Sequence, residues 1–236
     1  MLVNFPVHVS RKSFLSTVSH YVSHGFCRYT TGTISVQKAS KLVKKFDQKY
    51  SILDTKNDFD RKRRHGIARC RLVLFYPNYH QERPALNEPL HFILFSTIGS
   101  GAVQELERLS EAKPGQPLRY DKLTCRKESG IRGGGRVKSA WSWHFNQEFY
   151  QQMRESCLHA VRMRDLKQAK LLTGRLMSYP PFHGIRAQRA AIFGTMRRTS
   201  IHAGHPAESL NFIPEKQFWV RKGRKETISL SHLLKH

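Results

Sequence analysis

Three consecutive glycines, Gly133-Gly134-Gly135, interrupt the stretch Arg119–Phe145 (RYDKLTCRKESGIRGGGRVKSAWSWHF). Glycine loses more backbone entropy on ordering than any other residue, so a triple cannot be the interior of a strand. It belongs at a loop tip. The segment therefore predicts a β-hairpin, with one arm leading from Arg119 into Ser129-Gly130-Ile131-Arg132 and a second running through Val137 to Phe145. Arg119, Lys122, Arg126, Lys127, Arg132, Arg136 and Lys138 crowd it, against only Asp121 and Glu128. Trp141 and Trp143 are two apart and share one strand face, while Ser142 and His144 share the other. A cationic hairpin with a glycine tip and a tryptophan face has the makings of a nucleic-acid-binding arm. The ordinary alternative is a solvated hairpin whose tryptophans lie in the core.

The rest of the chain is basic too. Over 236 residues, 41 Lys and Arg face 17 Asp and Glu, a net charge of +24. Such an excess repels itself unless it meets a polyanion: DNA, RNA or an anionic membrane surface. Residues 1–110 carry a net +9 and residues 111–236 a net +15, so the second half is the better place for a partner surface. Arginine leads lysine there, and its forked guanidinium suits phosphate. Hydrophobic residues at 39% and aromatics at 11% are compatible with a folded core. Cys27, Cys70, Cys125 and Cys157 form no CxxC pair, which argues against a zinc ribbon or disulfide scaffold and fits a reduced setting. The longest apolar run, Pro89–Val103, is too short to cross a membrane and reads as a buried strand and turn.

Residues 1–46 contain no Asp or Glu and are rich in Ser and Thr. The composition fits an organellar transit peptide, a disordered basic arm or an over-extended reading-frame start, and we expect a poorly ordered basic tail over 1–39. A single α+β domain is expected over 40–205, with a basic C-terminal extension over 206–236. Lys41–Tyr50 has helical spacing through Leu42, Val43, Phe46 and Tyr50. Asp54–Asp60 reads as a polar loop, Ala68–Tyr76 as a strand and Leu90–Thr97 as a central strand. A short helix follows over Val103–Ser110. Beyond the hairpin, Asn146 caps a helix whose Phe149, Met153, Cys157 and Val161 form one face. Leu166–Leu176 continues it or begins a second helix after Asp165, and Tyr179-Pro180-Pro181 ends the run. Ile185–Ile201 is the last helix. The pattern predicts an α+β fold, with a small antiparallel sheet that includes the basic Gly-tipped hairpin and a helical C-terminal half.

Four groups of cations are candidate phosphate contacts. Arg61, Lys62, Arg63 and Arg64 form a dense cluster before a strand. Arg126, Lys127, Arg132, Arg136 and Lys138 lie on the hairpin. Arg186, Arg189, Arg197 and Arg198 lie on the last helix, where a helix-turn-helix reading would offer them, with Gln188, to a groove. Arg221, Lys222, Arg224 and Lys225 form a C-terminal cluster. No metal site is expected: His202/His205 and His20/His24 are bare pairs without carboxylate partners. No cofactor is expected, since the glycines end in no Gly-Lys-Ser/Thr motif. Catalysis has little support. A nuclease would draw on Asp54, Asp58 and Asp60, and a paired-histidine relaxase would find only His91 in Leu90-His91-Phe92, with Tyr150 or Tyr79 as nominal nucleophiles.

Two stretches together resemble a group of known proteins: Arg61–Pro77 (RKRRHGIARCRLVLFYP) and Lys138–Gly184, followed by Ile185-Arg186-Ala187-Gln188. The basic-Gly-Ala lead-in to a strand, the Trp-x-Trp before a helix and the Pro-Phe-x-Gly-Ile-Arg start of the last helix are similar to basic accessory proteins of plasmids and integrating conjugative elements, from the mobilisation or replication neighbourhood. The resemblance covers residues 41–200. It implies a bacterial cytoplasmic setting and a DNA-linked accessory role, and no catalytic residue is carried over. The expectation is thus a nucleic-acid partner, DNA favoured over RNA, and no membrane partner. The alternatives are an RNA-binding or ribosome-associated organellar protein and a nuclease or relaxase.

Overall fold

The computed structural model describes residues 4–79, 87–132, 136–215 and 226–234. In chain order the first elements are β1 (Pro6–His8), α1 (Arg11–Ser23), β2 (Arg28–Ser35), α2 (Val36–Tyr50) and α3 (Lys56–Arg64). β3 (Cys70–Phe75), β4 (Pro89–Ser96), α4 (Ala102–Leu106) and β5 (Ser110–Glu111) follow. Next come β6 (Leu118–Tyr120), β7 (Leu123–Arg132), β8 (Arg136–Phe145), α5 (Gln147–Arg162), α6 (Leu166–Met177) and α7 (His183–His202). A 3-10 turn at Ala207–Leu210, β9 (Thr227–Ser229) and α8 (Leu230–Leu233) complete the set. The fold is α+β as expected, with the hairpin in an antiparallel sheet and a mostly helical C-terminal half.

The chain divides after Pro117 into two compact units where one domain was expected. The first holds a six-stranded sheet in the order β5-β2-β4-β3-β1-β9. Its pairs are antiparallel except β1 with β3, where Val7 lies opposite Leu74. Helices cover both faces. On one, Val36, Ala39, Val43, Phe46 and Tyr50 make the apolar stripe of α2 and pack with Leu72, Leu74, Leu90 and Leu94. On the other, Phe14 of α1 stacks on Phe75 at 4.7 Å and Tyr21 meets Phe95 edge-on. Burial from both sides explains why β4 reads as an almost unbroken apolar run.

The N-terminal segment corrects the expectation of a loose tail, because residues 6–35 supply β1, α1 and β2. The helical period of α1 is concealed by its buried residues being partly small and polar. Ser13 and Thr17 are buried beside Phe14, Leu15, Val18 and Val22, and Ser10 caps the helix through Ser13 N. The C-terminal end is likewise part of the fold: Val7 pairs with Ile228, and Leu230 and Leu233 join the core of the first unit.

The second unit holds the three-stranded antiparallel sheet β6-β7-β8 and helices α5 to α7. Asn146 caps α5 by accepting from Phe149 N at 2.8 Å, and the expected face Phe149, Met153, Cys157 and Val161 is buried. A separate α6 begins after Asp165, whose carboxylate accepts from Gln168 N. That cap makes Leu166 a new start.

Phe14→Ala tests the integration of the N-terminal segment. Phe14 is fully buried, so the substitution is expected to cost about 3–5 kcal/mol in urea unfolding, the range for a core aromatic. A loss under about 1 kcal/mol would restore the loose-tail reading.

Candidate nucleic-acid interface

The hairpin is formed by β7 and β8 in unbroken register, from Leu123 opposite Phe145 to Arg132 opposite Arg136. Its root is core: Leu123, Cys125, Trp143 and Phe145 are buried with Leu118 of β6. Phe145 meets Tyr179 edge-on at 5.0 Å and Phe149 at 5.2 Å. Beyond them Ser142 on β8 is still buried, while Arg126, Lys127 and Ser129 on β7 and Ala140 on β8 are exposed. Trp143 is thus a core residue and forms no base-stacking face, while half-buried Trp141 lies opposite Lys127. Arg132, Arg136 and Lys138 are described by their backbone only. Arg132 pairs with Arg136 across the ladder and Lys138 with Gly130. Gly133–Gly135 lie outside the described residues.

Glu128 is the acid of the outer arm, and both of its oxygens are engaged. His144 Nε2 donates to Oε1 at 2.6 Å, and His183 Nδ1 at the start of α7 donates to Oε2 at 2.9 Å. Beside them Gly184 N donates to Ser142 Oγ at 3.1 Å. A Cβ at residue 184 would run into the His144 ring, so only glycine lets the helix sit this close to β8. The carboxylate therefore fastens the hairpin to α7, and exposed Arg126 and Lys127 stand beside an acid already in use.

The Arg61–Arg64 cluster differs from its expected loop form. It is the last turn of α3, which starts at a Thr55/Asp58 capping box in the segment expected to be loop. Cations at a helix C-terminus complement its partial negative charge. Lys62 is bound to Asp54 at 2.6 Å with both groups mostly covered, so it serves the fold. Arg61 with Asp58 and Arg63 with Asp60 are solvent-facing pairs at 3.1 and 3.4 Å. Solvent screens such exposed pairs, so they hold their arginines only weakly. Arg64 is exposed.

The last helix corrects the helix-turn-helix reading. Arg189 is 1% exposed and donates to the carbonyls of Leu176 and Tyr179 at 3.3 and 3.4 Å. Burial pushes its guanidinium down to about 10. It pins the turn before α7 and is closed to a phosphate. Arg197 donates to the carbonyls of Ile213 and Pro214 and is half-buried. Arg186 is half-buried, and burial lowers its guanidinium as well. Of the four, Arg198 is exposed, with a hydrogen bond to Thr195 Oγ1. Gln188 brackets Phe145, accepting from its N–H and donating to its carbonyl. Arg221, Lys222, Arg224 and Lys225 lie outside the described residues.

Cations outside the sequence-based list gather where α5 turns into α6. Arg162, Arg164, Lys167, Lys170 and Arg175 are all exposed there. The nearby acid, Asp165, is occupied as the cap of α6. The signal was available: on a 3.6-residue period Lys167, Lys170 and Gly174 oppose the buried Ala169, Leu172 and Leu176.

The enzyme readings gain no constellation among the described residues. No group of His, Cys, Asp or Glu there could hold a metal ion. Asp54, Asp58 and Asp60 are each engaged with a cation of α3. Burial pushes the Cys70 and Cys157 thiols up to about 11 and Cys125 to about 12, far from reactive thiolates. No described helix is long and apolar enough to cross a membrane. Comparison with protein-family models, curated proteins and solved structures gives no match.

Arg189→Ala separates the two roles of a cation. Removing this buried donor leaves two carbonyls unpaired, and a stability loss of about 2–4 kcal/mol is expected in urea unfolding. Nucleic-acid affinity per folded molecule should be unchanged. A loss of affinity at full stability would return Arg189 to the interface.

Proposed function

We propose that this protein is a non-enzymatic nucleic-acid-binding accessory factor, with DNA favoured over RNA. We place it in the bacterial cytoplasm, in the transfer, replication or maintenance of a plasmid or other mobile element. The observation that carries the binding reading is the hairpin: a cationic arm leaves the core at Arg126, and its acid Glu128 is committed to two histidines. Arg132 and Arg136 hold directly opposed positions on the ladder, a placement that is unfavourable for like charges and that a phosphate partner would relieve. The mobile-element setting rests on the sequence resemblance alone. Of the acid-free stretch that motivated the organellar alternative, residues 6–46 supply β1, α1, β2 and most of α2 in the first unit.

The test is affinity for duplex DNA, single-stranded DNA and RNA across a salt series, for the wild type and for Arg132→Ala/Arg136→Ala/Lys138→Ala. Each phosphate contact contributes about 0.9 to the slope of log K against log salt on duplex DNA, so the triple variant should flatten it by about 2–3. An unchanged slope would move the contacts to Arg61, Arg63 and Arg64 or to the α5–α6 turn. RNA bound above DNA would favour the RNA reading, and no binding to any of the three would overturn the proposal.

A further inference from the structure

The first unit carries a feature that the cation inventory does not explain. The backbone 66–69, between α3 and β3, is laced to the turn 97–101 after β4. Ala68 N donates to Ser100 O at 2.8 Å and Ser100 N to Gly66 O at 3.0 Å. Thr97 N donates to Arg69 O, and Arg69 N to Thr97 Oγ1, both at 3.0 Å. Gly99 has φ +150°, and a Cβ on it would fall 2.6–2.9 Å from the backbone of Gly66, Ile67 and Ala68. The two loops are held together at a spacing that only glycine permits.

This braced platform holds two isoleucines in water. Ile98 is 66% exposed and Ile67 40%, while the neighbouring Ala68 and Thr97 are buried. A single exposed apolar residue needs no explanation, but a pair on two loops locked by a glycine is a built feature. Both side chains are β-branched and stiff about χ1, so little rotamer freedom remains to lose on insertion. Exposed Arg63, Arg64 and His65 lead directly into this platform.

From this geometry we infer that Ile67 and Ile98 form a wedge for duplex DNA, entering between base pairs while Arg63 and Arg64 hold the flanking phosphates. The inference rests on the DNA reading proposed above and adds to it a deformation of the duplex. Apolar side chains flanked by cations partially unstack a base step, at a cost of about a few kcal/mol that wider backbone contact repays. Two isoleucines expose too little apolar area to seat the protein in a bilayer.

The experiment is relaxation of a closed circular plasmid by a topoisomerase in the presence of the full chain, with topoisomers resolved after protein removal. Duplex affinity is measured in parallel. The wild type is expected to shift the distribution towards negative supercoils, because unstacking unwinds the bound duplex. Ile67→Ser/Ile98→Ser should keep the wild-type unfolding midpoint, bind duplex within about tenfold of the wild type and lose the topoisomer shift. Arg63→Ala/Arg64→Ala should lose both the shift and part of the affinity. Duplex binding by the wild type without a shift, or an equal shift from the isoleucine variant, overturns the wedge and leaves the DNA reading standing. Binding only to single strands, RNA or anionic vesicles overturns both.

Discussion

Forty-one cations share this chain with seventeen acids, and the fold depends on where those few carboxylates are placed. Many of those described hold something in position. Asp54 takes Lys62 out of solvent. Asp58 closes the capping box of α3, and Thr55 hydrogen bonds hold its carboxyl below the usual range. Glu107 accepts from Tyr50 and Glu88 from Tyr76, and in both tyrosines burial and the carboxylate raise the phenol further above its usual value. Asp165 starts α6, and Glu128 joins the hairpin to α7. Acids committed to local geometry cannot also neutralise the surface. The uncompensated charge on the hairpin and the α5–α6 turn follows from that together with the crowding of cations in both segments.

The sheet edges show the same economy of means. An edge strand is a template for unwanted pairing, and short edges limit it. In the first unit the edges are β5, of two residues, and β9, of three. Of the longer strands, β4 is paired along its length with β2 and β3, while β5 covers only Arg28 and Tyr29 of β2.

What could be read from the sequence was what rests on strong local rules. The hairpin was legible because three glycines leave few conformations open, while the pairing of Leu123 with Phe145 through Arg132 with Arg136 came only from the structure. The α2 stripe and the α5 face were legible because large apolar residues recur at helical spacing. The α1 helix was not, since Ser13 and Thr17 occupy buried positions that the eye assigns to solvent. The helix α3 was hidden by its charge, although Thr55 and Asp58 at capping-box spacing were there to be seen. Among the proposed contacts, sequence alone counted charge without asking what each cation holds. Arg189 shares the stripe of Ile185, Ile192 and Met196, four residues from the first and three from the second, and that period already pointed inward. Lys62 and Arg197 are tied down by partners far along the chain or across a turn, which no local pattern encodes.

The pairing of β1 with β9 has a kinetic meaning. Val7 lies against Ile228, and Ser13 Oγ accepts from Glu226 N across 213 residues of chain. The stretch between them includes all of the second unit, whose own contacts lie within Leu118–Lys222. During synthesis the second unit can close its contacts once the segment through Pro214, which Arg197 binds, has emerged, while β1 keeps one side unpaired until Thr227 is made. The first unit is therefore begun first and finished last. Its completion waits on a long-range closure of the kind that slows folding, and the half-paired strand is the segment most exposed to mispairing in the interval.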